Sequence, residues 1–545
     1  MEMQESYITD AVFDAKTGAW FKVSGTRGTV WFSGSEFLTS QTTVLKRIGT
    51  DTGIYLADMA SKRKLQQEVK DIVPRDGTVA SQSGWHDKTF VCGDGSVMSA
   101  DGAVDVVAFD PLPKFTAEGD LGDWHAALTP YVAKQSLPLF IISLSLSGAL
   151  LRFLPSGTLN PIVELVGAPL SGKSTLGTLA ASVWAGDSGK TEGGGENWNM
   201  TANAFDLRRD DHRDMLLLLD EGEGSGPDER ARQNLAKAVI FTGAATSRKA
   251  RMTDVNRSPD PLRLAILSTA NTSFREVLGS ERANKSQAAA SRVLSIFVHK
   301  ESEDGLALFD TLPNGYEAAP KPAAAAASDL RDAVDTAYGT AGPAFAIALA
   351  NKVGADEQAF RGEISSRLKL ATNRMLRIDS SVDIRQCRTL AAVELAGELA
   401  RETGVLPAEW GEPSRATDRV FSQITSVPIA KPALAASDIT RFEKYVQRQL
   451  QMTKFLPSHV PLIPVPRLYK TTPGFVEINE LGGRDLLVHP KYFERTFDGA
   501  KKFLKDAKKD GRLKTSPSEA DRLQIHAPHW MLKYGFRRVY SIVLT

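Results

Sequence analysis

Two kinds of hydrophobic pattern divide the chain. Short, predominantly apolar runs recur through its middle: Ile162–Val166, Met215–Leu219, Leu264–Leu267 and Val293–Val298. Helical stretches separate them. An apolar run without polar alternation suits a parallel strand covered on both faces. Residues 126–312 therefore predict an α/β block. Residues 1–125 differ, being rich in Gly, Thr and short β-type runs such as Trp20–Val23, Thr29–Phe32 and Thr89–Val91. Asp76–Gly77 and Gly93–Gly95 read as hairpin turns, and a helix is predicted near Ser61–Ile72. This part predicts an α+β domain.

The most apolar stretch, Leu137–Leu151, is interrupted by Pro138 and Gly148 and carries Ser143, Ser145 and Ser147. A membrane span needs about 20 apolar residues, so this shorter stretch predicts a buried core helix. After the turn-rich Pro313–Pro322 and the run Ala323–Ala327, residues 328–410 predict helices. Gly411–Pro432 holds Pro413, Pro428 and Pro432 and marks another boundary. The last block, 435–545, mixes helices with short strands.

Composition narrows the picture. The 545 residues suggest three or four domains at roughly 150 residues each. Lys and Arg number 66 against 65 Asp and Glu, so any basic surface must be local. The two cysteines, Cys92 and Cys387, exclude a disulfide scaffold and a cysteine-based zinc module. The eight histidines lack metal-binding spacing, and no zinc is expected. The acidic N-terminus has no apolar signal region. A cytoplasmic protein without a membrane partner is the simple expectation.

The strongest chemical signal is Gly167-Ala168-Pro169-Leu170-Ser171-Gly172-Lys173-Ser174, followed by Thr175. It fits G-x-x-x-x-G-K-[ST] and sits between a predicted strand and a predicted helix. Glycines let backbone N–H groups turn inward as an anion nest, and the following helix adds its positive end. The expected ligands are ATP, reached by Lys173, and Mg²⁺, held by Ser174. Leu216–Leu219 leads into Asp220-Glu221. Asp220 is expected to share the metal and Glu221 to act as general base. Glu223 reads as a solvated loop residue.

The strand from Leu264 ends in Ser268-Thr269-Ala270-Asn271. Asn271 fits the γ-phosphate sensor of AAA+ ATPases, with Thr269 as the fallback; an Asn closing a strand by turn chemistry reads the same way. Between the acidic motif and this strand lie Arg248, Lys249 and Arg251. Superfamily-three and minichromosome-maintenance helicases place a DNA-tracking pore hairpin here, although the charges alone fit a surface loop. Arg282 and Arg292 follow. Arg292 is the choice for an arginine finger acting on a neighbour's γ-phosphate, with an intrachain ion pair as the alternative. Arg385 and Arg388 are weaker candidates for a lid arginine.

Taken together, these residues resemble a bacterial P-loop family catalogued as a domain of unknown function. It includes the minichromosome-maintenance-like replicative helicases of staphylococcal cassette chromosomes. The resemblance runs from Gly84-Trp85-His86 and Phe90–Gly95 through the phosphate loop, Ala181–Trp184, Trp198–Ala204 and the Asp220 strand. It continues to Ala337–Pro343, Ala396–Leu399 and Arg537-Arg538-Val539-Tyr540. It implies an AAA+ core, a homo-oligomeric ring (most simply a hexamer) and ATP-driven movement on single-stranded or forked DNA. The sequence does not say which element-encoded protein, such as a primase or nuclease, works with it. Two departures stand out: no Cys/His cluster supports an upstream zinc region, and Ala270-Asn271 replaces the family's Gly-Glu.

From Arg484 to Thr545 there are 14 Lys/Arg and 7 Asp/Glu. Lys501, Lys502, Lys505, Lys508 and Lys509 lie mostly along one side of a predicted helix. Strand-like segments, including Arg537 and Arg538, follow. Helix, turn and wing predict a winged-helix-like domain in which those two arginines meet DNA. A solvated face or a protein docking site are the alternatives. The overall expectation is an AAA+ P-loop core (126–312) with an N-terminal α+β domain (1–125). A helical lid (328–410) and a C-terminal winged-helix-like basic domain (435–545) complete it. The expected activity is a ring-forming DNA helicase or translocase of a mobile element. The alternative is a remodelling or switch ATPase in an anti-phage complex.

Overall fold

A computed structural model describes residues 6–99, 104–109, 112, 114–185, 195–222, 229–246, 261–278, 291–301, 306–426, 436–458, 471–478, 484–509, 512–514 and 522–544. The chain divides into two compact units, Met1–Ser426 and Val427–Thr545.

The apolar runs of the first unit form a five-stranded, all-parallel sheet. Its order is Gly195–Asn197, Leu216–Asp220, Ala265–Ala270, Ile162–Val166, Leu294–Phe297. Counted in chain order this reads 2-3-4-1-5, so the strand leading to the Gly167–Ser174 loop is internal, between Ala265–Ala270 and Leu294–Phe297. Every residue of Ile162–Val166 is buried, as expected of a strand covered on both faces.

Helix Ser136–Leu150 lies against this sheet and is buried almost throughout. It belongs to the one stretch among the described residues long and apolar enough to span a membrane, and 89% of that stretch is inside the protein. Its serines are satisfied rather than exposed. Ser143 and Ser147 donate to carbonyls of the same helix, Leu139 O and Leu144 O. Ser145 donates to Ala180 O at 2.7 Å, on the helix that follows the phosphate loop. Trp184 Nε1 returns to Ser145 O at 3.1 Å. The core helix thus fixes the position of the loop's own helix.

A four-stranded sheet near the N-terminus runs Thr29–Ser33, Gly18–Ser24, Ile8–Asp14, Arg75–Asp76. The predicted helix spans Met59–Asp71, capped by the Asp58 side chain. Gly93–Gly95 does close a hairpin, between Thr89–Val91 and Val97–Met98. Asp76–Gly77 does not. The residues before and after it pair in parallel with different strands, so it carries the chain from one sheet to another.

The composition shift near residue 125 is not a break in the core. Trp85, Phe90, Cys92 and Phe115 share one hydrophobic cluster with the parallel sheet. The reason is local. Gly84 has φ +97°, and a Cβ there would meet Asp214 Oδ2 at 2.6 Å. Only glycine allows that approach, which lets Trp85 N donate to Asp214 Oδ2 at 3.0 Å. Trp85 Nε1 then reaches Ala149 O at 2.8 Å. The helices Pro322–Val334, Ala341–Ile378, Ile384–Glu402 and Pro413–Ser426 join the same cluster. The last two pack on Ser136–Leu150. The Ala323–Ala327 run is the first turns of a helix, with Ala323, Ala326 and Ala327 buried.

In the second unit a mixed sheet runs Phe455–Pro457, Gly474–Ile478, Arg484–Val488, Arg538–Leu544, Leu513–Lys514, and Ile525–His526 also pairs with Arg538–Leu544. Helices Pro490–Thr496 and Ala500–Lys509 connect Arg484–Val488 to Leu513–Lys514. Phe503, Leu504 and Ala507 of the second helix are buried, while Lys501 and Lys505 are exposed.

Candidate functional site

The Gly167–Ser174 loop lies at the carboxyl end of the parallel sheet, where open α/β sheets bind ligands. Helix Lys173–Ala181 begins directly after Gly172, whose φ is +92°. Leu170 is also left-handed at φ +64°. Such reversals aim backbone N–H groups into a concavity, next to a helix start that favours negative charge. Lys173 is only 8% exposed. Its Nζ donates to Gly167 O (2.8 Å), Ala168 O (3.0 Å) and Asn271 Oδ1 (3.0 Å). Ser171 Oγ is buried without a hydrogen-bond partner among the described residues. An ammonium group on the loop carbonyls beside an orphan hydroxyl fits a phosphate chain.

The acidic motif faces this loop. Ser174 Oγ donates to Asp220 Oδ1 at 3.3 Å. Thr269 Oγ1 also donates to that oxygen, and Glu221 N donates to Thr269 Oγ1 at 3.3 Å. The hard oxygen ligands that Mg²⁺ prefers are therefore adjacent in Ser174 and Asp220. Glu221 sits at φ +60°, a costly conformation for a side-chain-bearing residue. Its carboxylate is exposed and accepts from Asn197 Nδ2 at 3.0 Å.

The structure thus brings together Lys173, Ser174, Asp220, Glu221, Thr269 and Asn271. Sequence reasoning missed Asn197. Its strand, Gly195–Asn197, is three residues with no apolar pattern. The adjacent Trp198–Ala204 segment was the one cue. It also missed what anchors that strand. Lys114 Nζ lies 2.7 Å from Glu196 Oε1 and 2.9 Å from His212 Nε2. His212 Nε2 accepts from the ammonium, so Nδ1–H is the donor to Leu216 O at 2.6 Å. Burial, then the Lys114 charge, holds His212 well below its ordinary pKa. A second hidden group is Glu164, on the phosphate-loop strand itself. It accepts from Phe274 N at 2.7 Å and from Ser295 Oγ. Burial pushes its carboxyl up to about 7.

Other expected residues stand elsewhere. Arg292 precedes strand Leu294–Phe297, at the sheet edge opposite the loop, with its guanidinium 5.4 Å from the Phe241 ring centroid. Arg385 donates to Ser291 Oγ at 3.4 Å on that same edge, and Arg388 lies one turn along its helix. Arg385 therefore does not reach the loop of its own chain, contrary to the lid expectation. Its helix packs beside residues 291–293, where Gln386 Nε2 also donates to Val293 O at 3.2 Å. Arg248, Lys249, Arg251, Glu223 and Arg282 lie outside the described residues. Arg537 is exposed, and Arg538 Nη2 lies 3.3 Å from His526 Nε2 across the paired strands.

Comparison with solved structures finds a chain described as "SCCmec type IV Cch - active helicase". It has a TM-score of 0.61 and 14% identity, covering 98% of this chain and 93% of that one. At that identity the likeness shows a shared fold. No curated protein matches. Residues 7–250, which hold the phosphate loop, Asp220 and Glu221, match a family described as a domain of unknown function, DUF927.

Proposed function

We propose that this chain is an ATP-dependent DNA helicase or translocase of a mobile genetic element, working as a ring. The observation that carries the ATPase half is the meeting of Lys173, Ser174, Asp220, Glu221 and Asn271 at the carboxyl edge of a 2-3-4-1-5 parallel sheet. The full-length likeness to a protein described as an active helicase supports the other half.

In this reading Lys173 and the backbone N–H groups of Leu170–Thr175 bind the phosphates. Ser174 and Asp220 would hold Mg²⁺, which supplies neutralising charge on the phosphate oxygens. Glu221 takes the proton of the attacking water, and Asn271 orients that water against Lys173. Arg292, on the opposite sheet edge, acts on the neighbouring protomer's nucleotide, and its distance from its own loop is what such a role needs. Arg248, Lys249 and Arg251 track the DNA backbone. The order strand, two helices, strand, strand in the second unit supports the winged-helix reading, with Arg537 and Arg538 on its DNA side.

The test is ATP hydrolysis by the full chain with and without single-stranded and forked DNA. Lys173→Ala serves as the blank, and alanines at Arg248, Lys249 and Arg251 as the pore variant. DNA should raise turnover several-fold, and the pore variant should lose that rise while keeping its basal rate. Turnover indifferent to DNA would sink the helicase reading and favour the remodelling ATPase.

A further inference from the structure

The second unit contains a concavity that neither the ATPase site nor the paired arginines use. It has a volume of about 310 Å³. Tyr492, Tyr534, Phe536 and His489 give it aromatic walls, and Lys491 and Arg495 give it a cationic rim. No carboxylate is among its described lining residues.

The rings are fixed before any ligand arrives. The Tyr492 hydroxyl donates to Gln449 Oε1 at 2.8 Å, leaving the ring rather than the hydroxyl for the pocket. Tyr534 packs on Phe475 with centroids 5.5 Å apart, and His489 meets Phe536 edge-on at 6.0 Å. The Arg495 guanidinium lies 5.8 Å from the Tyr492 centroid, so charge and ring occupy one wall. Lys491 and Arg495 are exposed, while Tyr492 and Tyr534 are half-buried. Rigid rings avoid the ordering cost that a flexible site incurs on binding.

Flat aromatic walls beside cations, without an opposing carboxylate, match a ligand that joins a flat ring to an anion. We propose that this pocket binds one unstacked base of a single DNA strand, with its phosphate on Lys491 and Arg495. Stacking on aromatic rings with cations along the backbone is the general chemistry of single-strand binding. A duplex keeps its bases stacked and unavailable, so the pocket selects a single strand or a frayed end. The inference rests on the DNA reading above and adds to it a site that senses strand separation. A free nucleotide has the same chemistry, so the test includes it.

The experiment measures binding of a fluorescent single-stranded decamer to the full Lys173→Ala chain, which removes turnover. The comparison ligands are the same decamer with abasic sites, its duplex, and ATP as competitor. The intact strand should bind roughly fivefold to a hundredfold tighter than the abasic one, the range of one lost base stack. Tyr534→Leu, which keeps an apolar group on Phe475, should erase that preference. The double variant Lys491→Ala/Arg495→Ala, at exposed positions safe for folding, should weaken both strands. A decamer carrying 5-iododeoxyuridine should photocrosslink to Tyr492, Tyr534 or Phe536. An intact preference in these variants, or crosslinks only elsewhere, overturns the pocket while leaving DNA-stimulated hydrolysis untouched. Displacement of the strand from this pocket by ATP overturns the strand as its occupant. A chain that neither binds DNA nor responds to it in hydrolysis fails the underlying reading instead.

Discussion

Replacing Asn197 with alanine tests whether the Glu221 carboxylate is restrained. The Asn197 amide lies 3.0 Å from Glu221 Oε2, and both residues are exposed. A hydrogen bond to a charged group contributes about 1.5–3 kcal/mol when shielded, and water competition lowers this to about 0.5–1 kcal/mol here. At 1.4 kcal/mol per tenfold, that is a two- to fivefold change, roughly, in the fraction of carboxylate free to take a proton. Glu221 N stays on Thr269 Oγ1, so the strained backbone at φ +60° keeps its other support. The assay is steady-state ATP hydrolysis with and without single-stranded DNA. Asn197→Ala should raise the DNA-free rate about two- to fivefold while the DNA-saturated rate stays within about twofold, so the stimulation ratio falls. Glu221→Gln should silence both backgrounds. A DNA-free rate that is unchanged or lower in Asn197→Ala would refute the restraint.

Other perturbations probe the scaffold. Gly84→Ala puts a Cβ 2.6 Å from Asp214 Oδ2 at a backbone φ of +97°. It should destabilise the first unit by about 2–4 kcal/mol, and a denaturant midpoint within error of the wild type would contradict this. Glu164 titrates near 7 when folded against an ordinary 4.5. The folded form keeps a proton that the unfolded chain releases, so stability falls as pH rises from 4.5 to 7. Glu164→Gln should remove that fall, shifting the variant-minus-wild-type stability by about 3 kcal/mol between pH 4.5 and 8. A constant difference across that range would show the carboxyl is ionised throughout. His212, held neutral below its usual 6.5, acts in the opposite sense. Its contribution is lost as pH falls below 6.5, so acid should destabilise the wild type more than His212→Gln in the same titration.

The sequence was most legible where chemistry and periodicity coincide. An apolar run ending at Gly167 and a helix starting at Lys173 leave one place for an anion, and the strand occupies Ile162–Val166 as predicted. Asn271 could be found because it ends an apolar strand. Asn197 could not, because its three-residue strand takes its identity from pairing with Leu218–Asp220, a long-range fact. Glu164 was hidden for the opposite reason: one carboxylate inside an apolar run does not disturb the pattern. The composition shift near residue 125 misled because composition reports local propensity, whereas Trp85 and Phe115 are placed by contacts with the sheet. Arg385 looked like a lid residue from its position after the core, yet the docking of its helix beside residues 291–293 turns it to the far edge.

The order of synthesis gives the buried helix Ser136–Leu150 a history. Two of the helices that cover it, Ile384–Glu402 and Pro413–Ser426, are made long after it. At about 5–20 residues per second, the 276 residues from 150 to 426 take roughly 14 to 55 seconds to emerge. Throughout that interval the ribosome displays a segment apolar enough to pass for a membrane anchor. Ser143, Ser145 and Ser147 reduce that resemblance during the wait, and in the folded protein they donate to Leu139 O, Ala180 O and Leu144 O. A nascent chain stalled near residue 380 would leave this surface bare, a ready substrate for chaperones or insertion machinery.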